Sequence, residues 1–257
     1  MLLLNKKWFL NSMIALALIS LLIMGFIAFR RIQTERSYEQ LADIKAEQEK
    51  NASDVQATDP PDTAIDATEI QYPYIANDNA KWLAINADYF GWLHISGTNI
   101  DYPYVRSHDN KDYLTLDLSG NYSDAGTLFM DYRNLGNFND QHTVIYGHYM
   151  KNKTMFHNLT LYHKQEFYEQ HPLIELSGLY DTQTYEIFSV YEISADDYAF
   201  TLAFEPSESY QNYLDELAQR SLVSTKVKLD PNQKLLTLVT CSYGVGNGRT
   251  IVHAIGQ

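Results

Sequence analysis

The sequence predicts a mainly β domain, a closed or nearly closed barrel, held behind one transmembrane helix. Three observations carry that prediction. Residues 8–29 form an apolar run interrupted only by Asn11, Ser12, Ser20 and Gly25. Much of the chain beyond residue 90 is cut by turn residues into short β-like segments. Twenty tyrosines and eleven phenylalanines among 257 residues supply the aromatics that suit pleated, half-buried surfaces.

Taken in order, the apolar run comes first. A helix needs about 20 residues to cross the hydrocarbon core, and this run suffices. It ends in Ala28-Phe29-Arg30-Arg31, a poor signal-cleavage site, so it reads as an uncleaved anchor. Lys6 and Lys7 precede it and Arg30, Arg31 and Arg36 follow it. That charge count alone leans slightly toward a cytoplasmic C-terminal domain. Residues 30–50 are polar and free of breakers, which predicts a helical stalk. Residues 51–69 carry Asp54, Asp59, Asp62, Asp66, Glu69 and Pro60-Pro61 with no Lys or Arg, the composition of a solvated linker. The chain thus divides into a tail and anchor (1–30), a stalk and acidic linker (31–71) and a folded domain (72–257).

Within the folded domain, residues 77–90 predict a helix, with Trp82, Leu83, Ile85 and Tyr89 near one face. Strand-like segments follow at 127–131, 143–146, 173–176, 184–193, 235–240 and 250–255. Residues 207–221 stand apart. Pro206-Ser207 is a start signal, and Tyr210, Tyr213, Leu214 and Leu217 recur at helical spacing, so an amphipathic helix is inserted between strands.

The net charge of -13 and pI near 4.9 argue against a nucleic-acid partner, whose phosphates need a basic surface. There is no HExxH, no EF-hand loop and no GxxxxGK[ST] loop, so neither a metal, a nucleotide nor another cofactor is expected. Cys241 is the sole cysteine, which rules out a disulfide within the chain.

The chemistry concentrates around that cysteine. In residues 235–254 a strand runs into Cys241, a loop with Gly244, Gly246 and Gly248 follows, and Arg249 opens a second strand. If the two strands pair as a hairpin, Arg249 returns beside Cys241, where a guanidinium favours a thiolate and can donate to an oxyanion. The alternative, an arginine capping a surface strand, stays open on spacing alone. A thiolate nucleophile usually needs an imidazole partner. His94, His108, His142, His157, His163 and His171 sit in polar contexts that suggest solvated surface, and His253 lies within a strand, where packing is expected. His148 differs: it follows the hydrophobic Thr143-Val144-Ile145-Tyr146-Gly147 at a strand-to-loop edge.

These residues resemble the sortase family. Thr237-Leu238-Val239-Thr240-Cys241 matches its TLxTC signature, residues 143–148 resemble its histidine motif, and Arg249 follows the cysteine at the family's short distance. Residues 91–95, 98–103, 109–114 and 125–131, with the helix 207–221, resemble class B members. The resemblance covers about residues 75–257. It implies an eight-stranded sortase-type barrel with N-terminal helices, an extra helix between strands six and seven, and an extracellular catalytic domain on a Gram-positive membrane. It also implies a cysteine transpeptidase. Cys241 would attack the Thr carbonyl of an LPxTG- or NPxTx-like sorting signal and form a thioacyl enzyme. An amine acceptor, a cell-wall peptide or a pilin lysine, would then resolve it. His148 would serve as acid and base, Arg249 would hold the oxyanion, and Val239, Thr240, Ser242 and Tyr243 are candidate substrate contacts. Val239 departs from the class B pattern, which often has Ser there, so the signal preference is open. Asp131, at a strand end, is a candidate third member of the catalytic group, although such aspartates more often cap turns. A non-catalytic, membrane-tethered binding module is the reading from another class.

Overall fold

The computed structural model describes residues 2–55, 77–194, 196, 199–205, 207–242 and 248–257. Two compact units are present, divided between Asp62 and Thr63. The first is one helix, α1 (Leu2–Val55). Its side chains from Met13 to Phe29 are exposed almost throughout, and the helix is long and apolar enough to cross a membrane. A helix apolar on every side needs an apolar solvent or partner around it. Residues 51–55, expected in the linker, extend this helix. The remainder of the expected acidic linker lies outside the described residues, as does the domain start near residue 72.

The second unit is a closed barrel in the order β1-β2-β3-β4-β7-β8-β6-β5. The strands are β1 (Tyr89–His94), β2 (Asp101–Arg106), β3 (Leu128–Met130), β4 (His142–Tyr146), β5 (Leu173–Ser177), β6 (Thr182–Ser194), β7 (Leu235–Ser242) and β8 (Gly248–Gly256). Closure leaves no sheet edge. β4 and β7 pair parallel, which requires a crossover; β5, β6 and the helix α4 (Ser207–Gln219) lie between them in sequence. On α4 the stripe Tyr210, Leu214 and Leu217 is buried against Val144, Leu235, Val239, Ile251 and Ile255. Residues 235 and 239 share a face because strand side chains alternate. A helix between strands six and seven is therefore present where the resemblance placed it. The short helices α2 (Asn77–Ile85) and α3 (Gln165–Gln170) complete the set, with 3-10 segments at Asp112–Leu114 and Phe156–His163.

Three details differ from the sequence expectations. The first helix of the domain ends at Ile85 rather than 90. Asn86 stops it: its Oδ1 accepts the Asp88 N–H at 2.8 Å, an Asx turn that competes with further helix, and Tyr89 and Phe90 enter β1 instead. β2 contains Pro103, which argues against a strand flanked on both sides. β3 begins beside Tyr104, so at Pro103 only β1 lies alongside, and the missing N–H costs no ladder bond to β3. Lastly, His142 is not a surface residue. It opens β4 and is fully buried.

His142 belongs to a chain of hydrogen bonds that crosses the sheet. Its Nδ1 lies 2.7 Å from the Thr201 carbonyl and its Nε2 2.7 Å from Thr237 Oγ1. Thr237 Oγ1 lies 2.7 Å from His253 Nδ1, and His253 Nε2 is 3.0 Å from the Tyr191 hydroxyl. A carbonyl only accepts, so Nδ1 of His142 carries its proton, and this fixes every later donor: Thr237 O–H to His142, His253 Nδ1–H to Thr237, Tyr191 O–H to His253. Both imidazoles are neutral in this arrangement, and an added proton would turn the Thr237 or Tyr191 O–H away from the acceptor it now has. Burial pushes the His142 pKa down to about 4 and that of His253 well below its ordinary value.

Both folded-state values lie below the unfolded one of about 6.5, so the stabilisation is complete above that pH and fades as pH falls through it toward the folded values. Denaturant unfolding of the barrel should show stability dropping between about pH 6.5 and 5, with a slope approaching about 1.4 kcal/mol per pH unit for each imidazole. His142→Gln should be less stable at neutral pH and show a shallower slope. A pH-independent midpoint across that window would contradict the neutral relay.

Candidate active site

The parallel ladder of β4 and β7 ends with Tyr146 opposite Val239, and the Gly147 N–H closes on the Val239 carbonyl at 3.1 Å. Cys241 lies two residues beyond that pair on β7, and His148 two residues beyond it in the chain that leaves β4. On its other side β7 pairs with β8, and the register sets Cys241 opposite Arg249 and Ser242 opposite Gly248. The hairpin expected around the cysteine is therefore present, and the backbone of Cys241 lies between the strand leading to His148 and the one carrying Arg249.

Gly147 makes the approach to His148 possible. A Cβ there would sit 2.4 Å from Leu128 Cδ2 and 2.6 Å from Phe156 Cδ2, so a side chain would push the strand end off its packing. The chain then loops and returns, and Phe156 N–H bonds the His148 carbonyl at 2.9 Å.

The imidazole of His148 is oriented by a backbone group. Its Nε2 lies 2.7 Å from the Leu114 carbonyl oxygen. Because that oxygen accepts, Nε2 carries a proton, and Nδ1 is the nitrogen that can act as a base in the neutral ring. Leu114 ends the 3-10 segment, which is seated by Gly126. Gly126 has φ of +60°, and a Cβ on it would come within 2.3 Å of the Tyr113 oxygen and 2.8 Å of the Leu114 oxygen. Glycine at this position permits both the left-handed turn and the close approach.

Around these residues lies a cleft of about 170 Å³. Leu114, Phe129 and Val239 give it apolar surface, and Asn110, Tyr146, Thr240, His148 and Arg249 supply polar groups. One guanidinium N–H of Arg249 donates to the Gly248 carbonyl at 3.0 Å, out of five that the group possesses. Thr240 is 2% exposed, and its hydroxyl has no hydrogen-bond partner among the described residues. Of the candidate substrate contacts, Val239 and Thr240 line this cleft, Ser242 continues β7, and Tyr243 lies outside the described residues. No group of three or more His, Cys, Asp or Glu suited to a metal occurs among the described residues.

Asp131 follows β3 and is fully buried. Arg133 binds it in a fork, Nε to Oδ1 at 2.8 Å and Nη2 to Oδ2 at 2.9 Å. Burial pushes its carboxyl up, but bonds from Arg133 and Tyr146 outweigh this and hold it below the usual range. Its side chain bonds Arg133, Asn110 and Tyr146. On the His148 ring it is the Leu114 oxygen, and not this carboxylate, that Nε2 faces. A main-chain carbonyl leaves no mark in a residue pattern, which is why the sequence did not point to it.

A sortase domain model matches residues 93–256. Sortase B of Staphylococcus aureus is 37% identical over 173 residues, which span 66% of this chain and 70% of that protein. Among solved structures, the S. aureus sortase B–substrate complex superposes with a TM-score of 0.67 at 33% identity, covering 72% of this chain and 86% of that one. A sortase B complexed with triglycine gives 0.67 at 33% identity, with 72% and 87% covered. The barrel, its inserted helix and the matched sequence agree: this chain belongs to the sortase family of cysteine transpeptidases.

Proposed function

We propose that this enzyme cleaves an LPxTG- or NPxTx-like sorting signal after its Thr and joins the released carbonyl to a cell-wall peptide amine, with Cys241, His148 and Arg249 as catalytic residues. What supports the reading is that β4, β7 and β8 meet at one cleft: His148, Val239, Thr240 and Arg249 line it, and the backbone of Cys241, next after Thr240 on β7, is paired opposite Arg249. The related sortase B bound to substrate supports a peptide in this cleft. The one bound to triglycine supports a peptide amine as acceptor.

In this reading the Cys241 thiolate adds to the Thr carbonyl carbon, and Arg249 stabilises the oxyanion. The C–N bond breaks, the leaving amine takes a proton from His148 Nδ1, and a thioacyl enzyme remains. The acceptor amine loses a proton to the now neutral Nδ1 and attacks the same carbon. The C–S bond breaks, which returns the thiolate and leaves a new amide. The Leu114 carbonyl keeps the Nε2 proton in place, so the same nitrogen serves both steps. Val239 is buried under α4 at the cleft's edge, where a serine would offer a hydroxyl, so the signal meets no side-chain hydroxyl at that point. α1 serves as a single-pass anchor (within residues 1–30), residues 31–71 as stalk and linker, and residues 72–257 as the catalytic domain outside the membrane.

The full-length chain in detergent, given a signal peptide and an amine, should form a ligated product through an adduct visible by mass spectrometry on Cys241. Cys241→Ala should form no adduct, since the chain has no other thiol. His148→Ala should slow both adduct formation and its resolution. Arg249→Ala should lose about 2–4 kcal/mol of transition-state stabilisation; a wild-type rate there would remove Arg249 from the site. Absence of any adduct with either signal class would favour a binding module instead.

Gly126→Ala should displace the Leu114 carbonyl and lower kcat by roughly 10²-fold, the scale of a catalytic group moved by about 1 Å. Steady-state ligation measures this, and an unchanged kcat would exclude Leu114 as the group that orients His148.

A further inference from the structure

We propose that Asp131 is a positioning residue for substrate docking, acting through Asn110 and Tyr146 on the wall of the cleft and not through His148. The proposal rests on the reading of that cleft as the sorting-signal site.

Asp131 gathers five hydrogen bonds on two oxygens. Oδ1 accepts the Arg133 N–H at 3.0 Å and Arg133 Nε–H at 2.8 Å. Oδ2 accepts Arg133 Nη2–H at 2.9 Å, Asn110 Nδ2–H at 3.1 Å and the Tyr146 hydroxyl at 3.0 Å. Three of the bonds come from Arg133, which keeps the buried carboxylate ionised. The other two come from residues that line the cleft.

Each of those two residues is over-determined. Asn110 stands at φ of +59°, a strained conformation that asparagine tolerates when its surroundings enforce it. Its Oδ1 accepts the Tyr132 N–H at 2.9 Å, and its own N–H reaches Ser107 Oγ at 2.8 Å. With the amide oxygen on an N–H and the amide nitrogen on a carboxylate, the side chain has one orientation. Tyr146 stacks on Phe129, another cleft residue, with ring centroids 5.3 Å apart. It lies two residues before His148, at the end of β4. A single carboxylate thus fixes two side chains drawn from separate segments, a loop at 110 and a strand at 146. Neutralising it weakens the acceptor that an amide and a phenol share, and a wall with several arrangements binds a peptide less well than a wall with one. Cys241 and His148 would be untouched, since the His148 ring takes its orientation from Leu114.

The test is steady-state ligation of a sorting-signal peptide by the full-length chain in detergent, with Asp131→Asn, Tyr146→Phe, Asn110→Ala and the Asp131→Asn/Tyr146→Phe double variant. Asp131→Asn should raise KM about tenfold or more with kcat within about threefold, the pattern of lost binding rather than lost chemistry. The pH profile of kcat should not move. Tyr146→Phe, which keeps the ring stack and deletes one donor, should raise KM by a smaller factor, as should Asn110→Ala. The double variant should be no worse than Asp131→Asn, because residues in one network are not additive. An unchanged KM in Asp131→Asn overturns the proposal while the function stands. So does a fall in kcat with a shifted pH profile, which would return Asp131 to the catalytic group. If Asp131→Asn does not fold, an unchanged KM in Tyr146→Phe overturns it. A wild-type chain that forms no adduct overturns the function and this proposal together.

Discussion

The parallel pairing of β4 with β7 is the constraint on which the site depends. Parallel neighbours need a long crossover between them, and here β5, β6 and α4 occupy that connection. The consequence is that two segments far apart in sequence end at the same level of the barrel, with Tyr146 and Val239 as the last pair. A slip by one residue would turn every side chain on β7 to the opposite face. The register is secured against this by the apolar layer under α4, where Leu235 and Val239 are buried with Val144, Ile251 and Ile255. It is secured again by the polar chain from Thr201 to Tyr191, which Thr237 can join only in this alignment. Core packing and buried hydrogen bonding thus fix the relative height of a histidine and a cysteine that belong to neither network.

Control of the His148 ring is likewise indirect. The ring of His148 is set by a carbonyl, the carbonyl by a 3-10 segment, and that segment by the absence of a side chain at Gly126. A backbone acceptor is uncharged and cannot itself titrate, so it orients the ring and fixes its tautomer without adding a second ionisable group beside it. The buried carboxylate close to the cleft, Asp131, is committed to Arg133 and to the cleft wall. Orientation of the imidazole and shaping of the groove are thereby handled by different groups.

What the sequence disclosed follows from the range of the interactions involved. β7 and β4 were legible because they are continuous apolar runs that end in polar residues, and α4 because Tyr210, Leu214 and Leu217 fall at one helical spacing. Cys241 and Arg249 were legible as a pair because a tight hairpin relates them locally. β1 and β2 were not: aromatic residues that also suit a helix fill one, and Pro103 interrupts the other. His142 looked like a surface residue because its partners, Thr201 and Thr237, are 59 and 95 positions away. Asp131 stood as a turn cap or a third catalytic residue because its sequence position says nothing of Asn110 and Tyr146, 21 and 15 positions away, which claim the same oxygen. Nonlocal hydrogen bonds to polar side chains, and main-chain acceptors such as Leu114, leave no periodic trace.

Whether β4 and β7 deliver their ends side by side can be measured without reference to activity. Positions paired in a ladder have Cα separations within the roughly 4.4–6.8 Å that a disulfide spans, and Tyr146 with Val239 is the last such pair of β4 and β7. The chain's only cysteine is Cys241, so a Tyr146→Cys/Val239→Cys variant on a Cys241→Ala background contains a single possible intramolecular pair. Mild oxidation of the folded variant should close that disulfide in nearly every molecule, seen as loss of both titratable thiols and a peptide cross-link between positions 146 and 239. Two thiols that stay unpaired in the folded chain under the same oxidation would contradict the register.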